Sequence, residues 1–460
     1  MVVVLINPNR AQPSVPPVGL DYLNDSLMAA GHDVYLYDFG LQRPSGLKDF
    51  IARKSPDVVG ISVRNIDDVN IRRKREYITP VTRLARSLRG ICGAKIVLGG
   101  AGFSFMPREI MEAAGADYGV VGDGEGTLPS LLDRLDAPET VPNVLYRTDG
   151  GKGVVKETER FFPSLDSMPS SPRSLVDYAG YLKKGSASNV QTKRGCRHRC
   201  IYCPEARLSG MRVRVRSPES VVEELAVLHS YGFRDKIFMA DSEFNVDPDH
   251  ARAVARALLE SGLRIKWTCY MIPDDVDGDL IDLMKRAGCD LVVWSIDAAG
   301  EEMLGRLRKD VTVSDILDAS RHCDAAGLSY CHAVLFGGPG ESFETVDETW
   351  ANLSRTKASF LAVAAGIRIY PGTELHETAL AQGELSPDAD LLQPVYYREE
   401  WVRRELIPHV ERRFSGSRNC VMYGVSPREE IQREINKVYP VFRESAGEKS
   451  LARPREAAAE

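Results

Sequence analysis

The 460-residue sequence contains no apolar run long enough to span a membrane. Its first residues, Met-Val-Val-Val-Leu-Ile-Asn-Pro, lack a basic segment ahead of a long apolar stretch, so a strand and no signal peptide are expected there. Both absences lead to the expectation of a cytoplasmic protein with no membrane partner. A positive surplus is missing too: 59 lysines and arginines stand against 65 aspartates and glutamates, a net charge of −6. Nucleic-acid-binding domains depend on such a surplus, so no nucleic-acid partner is expected. Histidine is scarce, with eight in the chain, and His32 is the only one in the first 140 residues. Six of the nine cysteines, at positions 92, 269, 289, 323, 331 and 420, are scattered. In a reducing compartment these are expected as thiols that pack as small apolar side chains.

What is present suits a folded chain of two or three domains: 43% of residues are hydrophobic and 27% charged. The unusual stretch runs from Thr192 to Pro204, where Cys196, Cys200 and Cys203 stand four and then three residues apart. One short loop can aim three such thiolates at a single compact inorganic centre. A cubane iron–sulfur cluster ordinarily takes four cysteines, so three leave one iron open to bind and reduce a ligand. The competing reading is a structural zinc site with His198 as fourth ligand. Such sites usually pair ligands from two separated knuckles, and no second CxxC lies downstream.

The CxxxCxxC pattern, with Tyr202 before its last cysteine, resembles the signature of the radical S-adenosylmethionine (SAM) superfamily. The resemblance implies a [4Fe–4S] cluster on Cys196, Cys200 and Cys203, with SAM chelated at the open iron and Tyr202 beside it. It also implies an external electron donor of flavodoxin or ferredoxin type.

Residues 1–140 alternate short β-branched runs with helical patterns, which predicts a doubly wound, Rossmann-like parallel sheet with ligands beyond the carboxyl ends of its strands. Candidate binding residues sit at those ends: Arg64 and Asn65 after the third strand, Gly99, Gly100 and Gly102 after the fourth, and Gly122, Gly124 and Glu125 after the fifth. Glycine permits close backbone approach to a bulky ligand. Through residues 16–22, 31–33, 99–100 and 122–125 the segment resembles the cobalamin-binding domain that precedes many radical SAM domains. The resemblance implies bound cobalamin. The Asp-x-His-x-x-Gly pattern of cobalt-ligating domains is absent, so a cobalt without histidine is expected. The competing reading is a scaffold without its cofactor. Residues 62–67, Ser-Val-Arg-Asn-Ile-Asp, are similar to a segment of the cobalamin-dependent tryptophan 2-methyltransferases of thiopeptide pathways. That likeness implies a catalytic Arg64 on the lower axial side of cobalt without ligating it, a cation with no lone pair to offer. The alternative pairs Arg64 with Asp67 or Asp68 at the surface.

Residues 141–185 are expected as a connector. It would hold a hairpin, residues 144–147 and 154–157 around Asp149-Gly150-Gly151, and an extended segment with Pro163, Pro169 and Pro172. Residues 186–375 alternate again, with six strands that fit a partial (β/α)6 radical SAM barrel. At its strand ends Asp241 and Glu243 are expected to meet the SAM amino group. Ser295 and Asp297 are expected at its ribose or methionine part, and Arg368 on its adenine side. Arg212, Arg214 and Arg216 alternate with valines and are expected as solvated charge on an edge strand. Residues 376–460 are expected as a small, mainly helical region in which Tyr396, Tyr397, Trp401 and Tyr423 cap the barrel, with a disordered tail from Ser445.

The expected function is that of a cobalamin-dependent radical SAM C-methyltransferase acting on a small natural-product or amino-acid-derived substrate, by way of methylcobalamin and cluster-bound SAM. Three alternatives stay open: non-radical methylation of an aromatic, indole-like carbon; a cobalamin-assisted radical rearrangement or cyclisation; and a cofactor-free binding protein. A tRNA methylthiotransferase is disfavoured, because it would need a second cysteine trio near the amino terminus, where only Cys92 occurs.

Overall fold

Runs such as Val-Val-Val-Leu-Ile, buried from Val3 onward, form strands covered on both faces, as parallel sheets require. The computed structural model describes residues 1–10, 14–147, 153–155, 164–168, 172–414 and 420–423. The expected hairpin turn at 149–151, Pro163, Pro169, the tail from Ser445 and the Tyr423 side chain lie outside the described residues. Five strands of the first sheet are parallel: β1 (Val2–Asn7), β2 (Asp33–Asp38), β3 (Val58–Ser62), β4 (Lys95–Gly99) and β5 (Tyr118–Val120), in the order β2-β1-β3-β4-β5. The strand order reverses between β1 and β3. In such sheets that switch point opens a ligand crevice beyond the carboxyl ends. The expected hairpin exists as β6 (Val144–Arg147) and β7 (Gly153–Val155), but it joins this same sheet. β6 runs antiparallel to β5 and pairs Tyr118 with Tyr146, which satisfies an edge that would otherwise stay open.

The second sheet holds β8 (Ser188–Val190), β11 (Ile237–Met239), β12 (Trp267–Met271), β13 (Cys289–Asp297), β14 (Ser329–Phe336) and β15 (Phe360–Ala365), each parallel to its neighbour. Between β8 and β11 lie two short antiparallel strands, β9 (Lys193–Arg194) and β10 (Arg214–Val215). The six barrel strands are those expected, although β15 ends at Ala365, ahead of Gly366 with φ +93°. A further strand, β16 (Cys420–Tyr423), comes from the otherwise helical carboxyl-terminal region and pairs with β15, Leu361 against Cys420.

The carboxyl edges of the two sheets are joined by contacts between their loops. Arg368, after β15, pairs with Asp67, after β3, at 2.8 Å. Arg194 bonds Asp123 at 2.9 Å and Glu125 at 2.5 Å, both after β5, and Arg214 pairs with Asp123 as well. Phe105, after β4, stacks on Tyr370 with ring centroids 5.1 Å apart. A second buried chain of polar groups runs through residues 173–178. Asp21 accepts from the Tyr178 hydroxyl at 2.5 Å, that hydroxyl accepts from Arg173 at 2.6 Å, and Arg173 and Arg216 share Glu224. Arg214 and Arg216 are therefore buried and ion-paired, not the solvated edge charge expected; only Arg212 is exposed. The reason is that β10 is covered: it pairs with β9 and lies under the acids of the first domain and the Tyr22 ring.

Candidate active site

The cysteine loop is shaped at Gly195, where φ is +98° and a Cβ would lie 2.3 Å from the Arg212 carbonyl oxygen. β9 and β10 close the loop at its base, and the Cys196 amide donates to the Gly210 carbonyl at 3.1 Å. Buried Ile201 pins the loop to the barrel through the Leu307 carbonyl and the Leu375 amide. Asp241, expected at the SAM amino group, is committed elsewhere. Its oxygens accept from the Thr192 amide at 2.7 Å, the Thr192 hydroxyl at 2.6 Å and the Lys193 ammonium at 3.2 Å, and its side chain has no exposed surface. It anchors the strand that launches the loop.

The three thiols lie close enough to influence one another's ionisation. Burial pushes Cys196 up to about 11, Cys203 to about 12 and Cys200 upward, so a cationic centre is what would deprotonate them. Among the described residues no three His, Cys, Asp or Glu side chains are drawn together at the spacing of a lone metal ion. His198, the fourth ligand of the zinc alternative, turns Nδ1 toward Asp310 at 3.5 Å.

Beside the thiols stands a cation, Lys309, that the sequence reading missed. The Lys309 ammonium, 3% exposed, bonds Asp297 Oδ2 at 3.0 Å, and the Tyr202 hydroxyl donates to the same oxygen at 2.5 Å. Lys309 is the largest opposing influence on the raised pKa of Cys200. In the sequence it sits in Leu-Arg-Lys-Asp, which looks like surface charge after the helix Glu301–Leu307. Arg308, with φ +53°, reverses the chain there, and the Lys309 amide returns to the Leu304 carbonyl. Glu243 completes the group. Burial pushes its pKa up to about 8, against the opposing pull of Lys309 and a hydrogen bond from Ser295. Its Oε2 is buried without a hydrogen-bond partner. Buried acceptors are normally satisfied, so an orphan of this kind fits a ligand donor, such as the amine of SAM. The donor set fits the cluster and SAM together: three thiols on one loop, a neighbouring cation, and an open acceptor.

Lys309→Met should leave Asp297 and Glu243 without their shared cation. Breaking a buried pair from one side costs roughly 3–5 kcal/mol. A marked fall in melting temperature is expected, and Asp297→Asn in the same protein should recover part of it. Equal melting of wild type and Lys309→Met would remove Lys309 from this role.

At the switch point of the first sheet, Arg64 and Asn65 are exposed. Surrounding protein nevertheless desolvates the Arg64 guanidinium and pulls its pKa down, with Tyr181 the charge-bearing neighbour. A side chain that is desolvated and still accessible lines a cleft. The expected surface pairing does not occur, because Asp67 is taken by Arg368 and Asp68 by Arg73. Arg64 has no hydrogen-bond or ion-pair partner among the described residues. Two of the expected ligand-cradling glycines serve this turn instead. A Cβ on Gly100, φ +99°, would meet the Val63 carbonyl at 2.8 Å, and one on Gly102 would meet the backbone of Arg64 and Asn65 at 3.0 Å. Gly122 donates its amide to Ser104 at 3.0 Å, while Gly99 and Gly124 have room for a Cβ. Glu125 and Arg368, expected at cofactors, are spent on the domain junction. Their charges are fully matched by Arg194 and by Asp67 with the Leu391 carbonyl. His32 lies at the opposite end of the sheet, 3.4 Å from the amino group of Met1. The residues at the carboxyl edge therefore fit a cobalamin that no histidine of this domain would ligate.

Residues 7–132 match the B12 binding domain family and residues 190–351 the Radical SAM superfamily. Tryptophan 2-C-methyltransferase from Streptomyces laurentii is 26% identical over 436 residues, covering 80% of this chain and 73% of that protein. Cytidylyl-2-hydroxyethylphosphonate methyltransferase from Streptomyces wedmorensis is 23% identical, covering 86% and 84%. Among solved structures, the radical SAM methyltransferase TsrM from Kitasatospora setae, with tryptophan substrate and a SAM analogue bound, superposes with a TM-score of 0.76. The identity is 27%, over 87% of this chain and 82% of that one.

Proposed function

Because the chain belongs to the cobalamin-dependent radical SAM methyltransferases, we propose that it transfers a methyl group to a carbon atom of a small organic molecule. One observation carries the reading: the unpartnered guanidinium of Arg64 at the switch point of a sheet whose carboxyl edge is docked on that of the barrel. When bound, SAM would supply the methyl group and, on one-electron reduction, a carbon radical, and cobalamin would relay methyl groups. The chain's own residues do the rest. Cys196, Cys200 and Cys203 hold the cluster. Tyr202, Asp297 and Lys309 brace its loop. Glu243, with Ser295 hydrogen-bonded to it, would receive the amine of SAM on its open oxygen. Arg64 would face the bound cobalamin as a cation with no lone pair to give, and so would not ligate its metal. A one-electron carrier of flavodoxin or ferredoxin type would reduce the cluster.

The form in which the acceptor is an aromatic carbon and no adenosyl radical is consumed is favoured by Arg64 and by the tryptophan bound to the TsrM relative. The test is anaerobic incubation of reconstituted protein with labelled SAM, cobalamin, a reductant and a panel of aromatic and amino-acid substrates. The expected product carries the labelled methyl group on carbon, with little 5′-deoxyadenosine. Stoichiometric deoxyadenosine with a methylated product restores the radical route. A product of unchanged mass would show rearrangement instead and overturn the proposal.

A further inference from the structure

The strands β9 and β10 form a ladder of their own, hydrogen-bonded to neither large sheet. It sets Arg194 directly opposite Arg214, and the cysteine loop leaves it at Gly195. A two-stranded pair is marginal by itself, and like charges directly across a ladder repel. Successive side chains of a strand point to opposite faces, and the two residues of β9 use this to reach two supports. Lys193 turns to the barrel, 3.2 Å from Asp241. Arg194 turns to the first domain, 2.9 Å from Asp123 and 2.5 Å from Glu125. Arg214 pairs with the second oxygen of Asp123, so one carboxylate of the first domain bridges the two opposed guanidinium groups. The side chains of Arg194, Arg214, Asp123 and Glu125 are each at most 10% exposed. Arg214 also donates to the Ser209 carbonyl at 2.9 Å, next to the Gly210 carbonyl that receives the Cys196 amide. Asp123 forgoes a local role here. It stands at the N-cap of the helix Gly124–Leu132, where aspartate is favoured, yet its side chain makes no capping hydrogen bond.

We propose that Arg194 is a positioning residue for the iron–sulfur cluster: Asp123 and Glu125 of the first domain hold it, and it fixes the first cysteine of the loop, so the seat of the cluster is complete only with the first domain docked. The proposal rests on the cluster assignment within the methyltransferase reading and deepens it. Arg194 acts through the backbone that runs from it to Gly195 and Cys196, and needs no contact with the cluster itself. A planar guanidinium can meet two acids at once, which an ammonium cannot. Linkage is reciprocal, so whatever docking adds to cluster retention, the cluster returns to docking.

The test reads the Cys196 thiol, which is buried, so its reaction with iodoacetamide reports how often the loop opens. Full-length protein is alkylated before cluster loading, and peptide masses give the rates at Cys196 and, as a fold control, at Cys92 of the first domain. The cluster-loaded protein is then challenged with an iron chelator. Arg194→Gln and Glu125→Gln lie in different domains. Each should speed both Cys196 alkylation and iron loss by at least about threefold with Cys92 unchanged, and the double variant should go little further. Arg194→Lys keeps the charge and should recover part of the loss. Joint Asp67→Asn and Arg368→Gln removes another interdomain pair with both its charges, and should leave Cys196 within about twofold of wild type. Wild-type rates in Glu125→Gln overturn the proposal. So does an Asp67–Arg368 variant that speeds Cys196 as much as Arg194→Gln does, because general undocking would then account for both. The rates need neither SAM nor substrate. A clamped loop without methyl transfer therefore leaves the proposal standing and sinks the methyltransferase reading, and methyl transfer with Cys196 indifferent to Glu125→Gln does the reverse.

Discussion

Joint replacement of Cys196, Cys200 and Cys203 by alanine should abolish the iron–sulfur absorbance and all SAM cleavage while cobalamin is still retained by the first domain. The separation follows from how each site is supported. One face of the first sheet has a core of its own, built on Val3, Leu5, Val58 and Val97. Its junction with the barrel is made by Arg194, Arg214 and Arg368, not by the cysteines. The loop itself is held by Gly195, the β9–β10 pair, Ile201 and the Asp241 anchor, all of which the triple variant keeps. Iron and cobalt analyses on the same anaerobically reconstituted sample, with circular dichroism as a fold control, would read both losses. An iron–sulfur spectrum persisting in the triple variant would end the cluster assignment. A wild type that loads zinc and no iron would favour the alternative with His198.

The same loop shows what was and was not legible in the sequence. Cysteine spacing and the following Tyr202 are local, and a local pattern survives without the fold. So are the first-sheet strands, because residues buried on both faces form short, mostly apolar runs such as Val-Val-Gly-Ile at 58–61. Ion-pair partners are not local. Arg214 and Arg216 alternate as an exposed edge would, but their acids come from positions 123 and 224. Asp241 and Glu243 stand two residues apart after the same strand, and only the structure separates an anchor with every oxygen matched from a carboxylate with one oxygen free. Lys309 is hidden by its charged neighbours and revealed by a single left-handed residue before it. Four residues of β16, far from the other strands in sequence, carry too little pattern to stand out from a helical surrounding.

Arg64→His should place a nitrogen donor where the chain now offers none, and the cobalt(II) spectrum of the bound cobalamin should gain nitrogen hyperfine splitting that wild type lacks. The turn that carries residue 64 is fixed by backbone: the Val63 amide donates to the Gly99 carbonyl at 2.8 Å, and Gly100 and Gly102 pack against it. Substitution therefore changes the side chain and leaves its mounting in place. Neutral imidazole binds transition metals well, and a donor below cobalt stabilises the oxidised states and makes the reduced, nucleophilic one harder to reach. Methyl transfer should slow accordingly. Arg64→Lys keeps a cation without a lone pair to give and loses only the planar fork, so it should reduce activity less and leave the spectrum without splitting. Cobalt content measured alongside separates a changed ligand from lost binding. Unchanged cobalt spectra together with unchanged turnover in Arg64→Ala would return Arg64 to an ordinary cleft residue, and the case for its role beneath cobalt would fall with it.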